Sequence, residues 1–480
     1  MSTTLVSPDA ITDRRPPARP DRRFPLWLVL VAVSLPMFMA TLDNLVMTTA
    51  LPVIRADLGA TVGELSWFVN AYTLSFATFM LAAAALGDRI GRRRMMLGGI
   101  AVFTLASIAS ALSTTPEALI AARGVQGLGA AAIMPLSLSL LAANVPDRLR
   151  PAAIGIWGGV SGLGVALGPV VGGAVVDGIN WEAIFWINVP VAMLAVPLVQ
   201  LTVRESRGVW QRIDLLGTAL LGSTVFAGVW GIVHGNDDGW GSSAVVLPLV
   251  LSAALLAAYV AHALRRQRLG SDAVLPLRLF SSRGFTVANL IGLGFSMGIF
   301  GTVFLLAQYL QVVQGYTPLE AGLRTLPWTA APMVVAPVAG ILAGRIGVRI
   351  PLFVGLLAQT VALVWFAALT EAMAPYADFV PPLLLAGVGM GLTFAPSATA
   401  VLDGLPEDDF ATASSANSTV REFGTALGVA VLVAVFESSG GTISPTGYDG
   451  AIGPAILTGA AAVALGTIAA LFAPGRQTRS

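Results

Sequence analysis

At 480 residues the chain would make about three soluble domains of roughly 150 residues, yet 56% of it is hydrophobic and only 11% charged, with mean hydropathy +0.80. So few charges cannot cover soluble domains, which average about 25% charged residues, and disorder needs the opposite composition, so a water-soluble enzyme is excluded. Net charge is only +1, with no lysine among the basic residues; with no cysteine and only His234 and His262, a nucleic-acid surface and a thiolate or imidazole metal cluster are excluded as well.

Residues 1–25 are polar, carry Arg14, Arg15, Arg19, Arg22 and Arg23, and read as a disordered cytosolic tail rather than a cleaved signal peptide. A helix needs about 20 apolar residues to cross a bilayer. Segments of that length follow near 26–48, 65–86, 95–113, 117–141, 151–175, 182–203 and 213–233. A second set follows near 244–264, 285–313, 319–344, 350–370, 378–401, 411–437 and 451–473, before a cytosolic tail at 474–480. The excess of basic residues on cytoplasmic loops tests this count of fourteen. With the N-terminus inside, 23 of the 27 arginines fall on cytoplasmic segments, Arg89, Arg92, Arg93 and Arg94 among them. Arg55 falls in an outer loop, while Arg123, Arg324 and Arg421 fall within spans. The acidic loop of Asp403, Glu407, Asp408 and Asp409 is also placed inside, and acidic residues weigh little on orientation.

The halves resemble each other. LGDRIGRR at 86–93 ends the second span and LAGRIGVR at 342–349 ends the tenth. GLGVALG at 162–168 in the fifth is echoed by EFGTALG at 422–428 in the thirteenth. The pattern predicts a six-helix bundle at 26–203, a linker with two inserted helices at 204–284, and a second six-helix bundle at 285–473. Parallel six-helix repeats are the architecture of the major facilitator superfamily.

From about residue 26 to 473 the chain resembles the fourteen-helix drug:proton antiporter branch of that superfamily. Four motifs carry the resemblance in order: LDNLVMTTALP at 42–52, ALGDRIGRRRMM at 85–96, RGVQGLGAA at 123–131 and GVALGPVVGG at 164–173. It implies an all-α integral membrane protein of the bacterial inner membrane, multi-pass, with both termini cytoplasmic. It further implies a monomer that exchanges protons for small lipophilic, cationic substrates. The proton gradient supplies the energy, and neither cofactor, metal nor nucleic acid takes part.

Each motif has a physical reading. Asp43 lies in the outer half of the first span, where a buried carboxylate costs several kcal/mol unless protonated or paired. Such a group takes up or releases a proton as its surroundings change. Arg123, in the fourth span, keeps its charge but biases the protonation of a neighbouring acid; an Asp43–Arg123 association is one hypothesis, and snorkelling to the interface is the alternative. Arg421 and Glu422, in the thirteenth span, point about 100° apart. Glu422, where the family usually has glutamine, adds either a titratable group, an acid for cationic substrates, or part of a structural network.

The cluster Asp88, Arg89, Gly91, Arg92 and Arg93 is, by resemblance, a latch holding the two halves together in one state. Gly344 stands at the second-half position matching Asp88, so the latch is expected on the N-terminal side alone. Gly164, Gly168 and Gly172 recur at i, i+4, i+8, giving one smooth face for close packing; Pro169 bends the helix, and Gly173 extends the motif. Asn44, Trp67, Asn70, Tyr72, Gln311 and Phe394 are candidates to line a central cavity with aromatic faces for a cation, against ordinary helix packing.

The function expected is proton-coupled efflux of lipophilic drugs or antibiotics by alternating access. A same-fold exporter of one self-made antibiotic, siderophore or lipid is the alternative. An enzyme is not expected, since no nucleotide loop, metal cluster or nucleophile constellation is present.

Overall fold

The computed structural model describes residues 24–146, 149–207, 214–271, 273–371, 374–405 and 410–474. The predicted tails (all but residues 24, 25 and 474), Arg148, Arg212 and the acids Glu407, Asp408 and Asp409 lie outside the described residues.

Among the described residues the chain is helical. It runs through α1 (Leu26–Leu58), α2 (Val62–Ile90), α3 (Arg92–Ala111), α4 (Pro116–Asn144), α5 (Arg150–Gly178), α6 (Ala183–Trp186), α7 (Asn188–Thr202) and α8 (Leu215–Val233). It continues through α9 (Gly235–Asp238), α10 (Ser243–Arg268), α11 (Arg283–Val312), α12 (Pro318–Ile346), α13 (Arg349–Glu371), α14 (Tyr376–Leu402), α15 (Phe410–Ser438) and α16 (Ile452–Ala470). Among the described residues thirteen spans are long and apolar enough to cross a bilayer; α2, bent by 49° between Met80 and Ala82, makes the fourteenth. One of the thirteen is composite, with α6 and α7 forming the span Ala183–Thr202.

The first helix corrects one expectation. It does not end near residue 48 but runs 33 residues to Leu58, with Pro52 inside it. Hydropathy fixes the apolar length of a span, not where its helix stops. Here the polar last turns find partners: Arg55 Nη1 donates to the Ile443 carbonyl at 3.2 Å, and Asp57 accepts from Trp181 Nε1 at 2.9 Å. Asp43 therefore sits near the midpoint of its helix.

The repeat is visible in the backbone. Thr61 and Glu64 form a capping box at the start of α2, and Thr317 and Glu320 form the same box at the start of α12. Gly91 after α2 and Gly347 after α12 occupy the matching positions with φ of 118° and 87°, a region costly for any side chain. α1–α7 and α11–α16 make the two halves, which meet chiefly where α5 packs on α12 and α2 on α15. The inserted α8 and α10 pack on each other, and α8 also leans on both α2 and α15.

Candidate coupling and transport site

Asp43 is buried at the centre of a polar network inside the N-terminal half. Its Oδ2 accepts from Arg123 Nη1 at 2.6 Å, with both side chains almost fully enclosed. Its Oδ1 accepts from Gln126 Nε2 at 2.9 Å and from Asn188 Nδ2 at 2.7 Å. The same two amides also donate to Ser107 Oγ, at 2.9 and 3.1 Å. Arg123 bonds the Phe68 carbonyl through Nε at 3.1 Å and Gln126 Oε1 through Nη1 at 2.6 Å, and its guanidinium lies 4.4 Å from the Tyr72 ring centre. The carboxylate and its two amide donors thus tie α1, α3, α4 and α7 together.

The hypothesised Asp43–Arg123 contact is a direct ion pair, and Arg123 does not snorkel. Gln126, Asn188 and Ser107 were not singled out from sequence. Gln126 was legible, standing one turn after Arg123 inside the fourth-span motif. Asn188 lies in the apolar run WINVP, whose partner nothing in the sequence names, and Ser107 carried no signal at all.

Between the halves lies a cavity lined by α1, α5, α11, α12 and α14, with Leu45, Pro169, Phe300, Trp328 and Met390 on its walls. Its walls are almost wholly apolar, with Thr48, Thr49, Thr325 and Thr329 the polar side chains among the described lining residues.

The six residues expected to line a central cavity do not share one. Trp67 is buried against Phe226 and Trp230 of α8, with ring centres 5.6 and 5.7 Å away. Tyr72 stacks on Arg123 and donates to the Ala40 carbonyl at 3.2 Å. Asn70 is buried within the protein, and Asn44 is half-buried on α1. Gln311 crosses between halves to donate to the Thr49 carbonyl at 2.9 Å. Phe394 lines a second, smaller cavity together with Arg421. The reason is angular: successive positions on a helix turn by about 100°, so residue type along a span does not fix which neighbour it meets.

The fifth-span motif serves two faces. A Cβ at Gly168 would stand 2.5 Å from Leu45 Cβ, one at Gly172 2.5 Å from Thr49 Oγ1, and one at Gly164 3.2 Å from Thr41 Cβ, so this row packs on α1. Gly173 looks the other way: a Cβ there would stand 2.5 Å from Leu319 Cα and would overlap the Pro318 carbonyl oxygen of α12. Gly322 of α12 meets the Pro169 carbonyl in the same close fashion, and Leu319 N–H donates to Asp177 at 3.0 Å. Pro169 and Gly173 therefore sit on the contact between the halves.

The contacts of Asp88, Arg92 and Arg93 are local ones. Asp88 accepts from Arg92 Nε at 2.6 Å, one helical turn away. Glu205, just after α7, caps α3 by accepting the main-chain N–H of Arg93 at 2.9 Å and of Arg94 at 3.3 Å. Arg93 Nη1 donates to the Val203 carbonyl at 3.1 Å. These bonds lie within the N-terminal half. The left-handed Gly91 brings Glu205 against the turn, leaving no room for a side chain. The second half repeats the arginine clasp alone: Arg349 Nε donates to the Ala473 carbonyl at 2.8 Å.

Arg421 lies over the Phe394 ring at 4.6 Å; it and Glu422 act on each other electrostatically without forming a direct ion pair.

The profile of the Major Facilitator Superfamily matches residues 33–429. The multidrug resistance protein Stp of Mycobacterium tuberculosis (strain CDC 1551 / Oshkosh) is 36% identical over 86% of this chain and 76% of that protein. The tetracenomycin C resistance and export protein of Streptomyces glaucescens is 33% identical over 87% and 77% of the two chains. The methylenomycin A resistance protein of Streptomyces coelicolor is 34% identical over 88% of each. A crystal structure of a D-xylose–proton symporter shares the fold, with a TM-score of 0.66 at 13% identity over 93% of this chain and 97% of that one.

Proposed function

The chain belongs to the Major Facilitator Superfamily, and from that premise we propose that it is a proton-coupled antiporter exporting lipophilic drugs or antibiotics from a bacterial cell by alternating access. It acts as a monomer with both termini cytoplasmic, and the proton gradient drives it. The observation that carries the coupling is the enclosed Asp43–Arg123 pair with its two amide donors.

A carboxylate held by one cation and two N–H donors is stable in the membrane only while those donors face it. Taking up a proton on Oδ2 removes the acceptor of Arg123, which then shifts toward the Gln126 oxygen and the Phe68 carbonyl it already touches. Because Asn188 stands on α7 and Gln126 on α4, that shift changes how helices of the N-terminal half sit. A proton event is thereby tied to which side the halves open. The positive charge expected of the cargo draws no support from the central cavity, where no acid is among the described lining residues.

The relatives named for single antibiotics favour the second reading, a dedicated exporter with the same mechanism. Breadth of the transported panel separates the two. In everted vesicles carrying an imposed pH gradient, a panel of lipophilic drugs and dyes is expected to collapse the gradient as it is transported. Transport that depends on sodium and ignores pH would end the proton reading.

A further inference from the structure

Two cavities lie in line along the same pair of helices. The central one touches α11 from Ile299 onward and α14 at Met390. The second touches α11 at Phe295 and Gly292 and α14 at Thr393, Phe394 and Ser397, and is closed on α15 by Arg421. Phe295 to Ile299 is four residues, as is Met390 to Phe394, so the two are about 6 Å apart along each helix.

Their chemistry differs. The central cavity's threonines already donate to the main chain: Thr48 to Leu45, Thr49 to Val46, Thr325 to Gly322 and Thr329 to Ala166. Its walls otherwise offer apolar surface. The second cavity presents a permanent cation. An arginine inside a membrane bundle is costly unless paired, and no described carboxylate pairs with Arg421. Glu422, next in the chain, projects about 100° away; it acts on Arg421 electrostatically but forms no ion pair with it, leaving the guanidinium's donors to the cavity. The Phe394 ring at 4.6 Å offers a cation–π contact but no counter-charge. Thr393 is spent on the Gly389 carbonyl and on Gln359, whereas the Ser397 hydroxyl beside Arg421 is available to donate.

We propose that the pocket at Arg421 receives the acidic group, a carboxylate or phenolate, of a lipophilic cargo whose apolar body occupies the central cavity. This rests on the export reading above and names its substrate class: lipophilic weak acids. The planar guanidinium holds the anion in a bidentate fork, Ser397 adds a third donor, and Phe295 and Phe394 flank it.

The test is equilibrium binding to the purified full chain in nanodiscs, with three fluorescent probes sharing one ring: anthracenecarboxylate, methylanthracene and aminomethylanthracene. Wild-type protein is expected to bind the carboxylate about 10-fold or more tighter than the methyl compound. Arg421→Gln is expected to erase that advantage while leaving methylanthracene within about 2-fold, which reports an intact cavity. Arg421→Lys keeps the charge but not the fork, and is expected to retain part of the advantage. A carboxylate bound no tighter than the methyl compound by wild-type protein, or just as tightly by Arg421→Gln, overturns the proposal. So does tightest binding of the ammonium probe, which would assign the charge recognition to Glu422. No gradient or transport enters this measurement, so its failure leaves the proton-coupled export reading to the vesicle assay.

Discussion

Asp43→Asn is expected to abolish export driven by a pH gradient, a loss on the order of 100-fold or more, the scale that a positioned proton-transfer group commands, while leaving substrate exchange at equal pH nearly intact. The asparagine copies the protonated acid. Its oxygen at the Oδ1 place still accepts from the amides of Gln126 and Asn188, while its NH₂ at the Oδ2 place no longer accepts from Arg123, as in the acid protonated on Oδ2. The fold is kept and the titration is lost. Asp43→Ala differs in kind, because it strands Arg123 without its partner in a fully buried site. Losing one member of a buried pair costs about 3–5 kcal/mol, so this variant is expected to accumulate poorly. Counterflow and gradient-driven uptake, measured side by side in proteoliposomes, separate coupling from binding. Gradient-driven export by Asp43→Asn at the wild-type rate would remove Asp43 from the coupling step.

The second large effect is steric. Gly173→Val is expected to reduce export at least about 10-fold in correctly inserted protein, because its side chain would be driven into Leu319 Cα and the Pro318 carbonyl. Those are backbone atoms of α12, which no rotamer change can move aside, so the halves must separate along α5. The hydrogen bond from Leu319 N–H to Asp177, at 3.0 Å, would open with them. Gly158→Ala is the matched control, since a Cβ there meets nothing within 4 Å. Export assayed against surface-labelled expression is expected to fall for Gly173→Val and to hold for Gly158→Ala. Equal activity of the two would mean that α5 and α12 need not approach this closely in the working cycle.

Much of the fold was legible because membrane insertion writes itself into sequence in two simple codes, apolar length and arginine placement. The repeat was legible in its glycine-rich turns, and it carried a further written signal: the T-x-x-E boxes at Thr61 and Thr317, one at the head of each half's second helix. The charged residues of the site were legible through scarcity, since a carboxylate and a guanidinium inside spans stand out against apolar neighbours. Their partners were not. Ser107 and Asn188 are ordinary polar residues until α3 and α7 are placed against α1, and that placement depends on helix rotation. Glu205 was invisible for a related reason. An acid in a loop near arginines reads as solvated charge, whereas the left-handed turn at Gly91 brings it onto the start of α3. The glycines of α5 gave one packing face by spacing alone; that Gly173 turns to the opposite half needed the second bundle in view.

The most direct test of the central claim, that Asp43 carries the exchanged proton, is proton release on substrate binding, read with a pH-indicator dye in weakly buffered solution of the purified protein. Wild-type protein is expected to release protons when a transported drug is added, and Asp43→Asn to bind the drug and release none. Equal release by the two proteins would contradict the account.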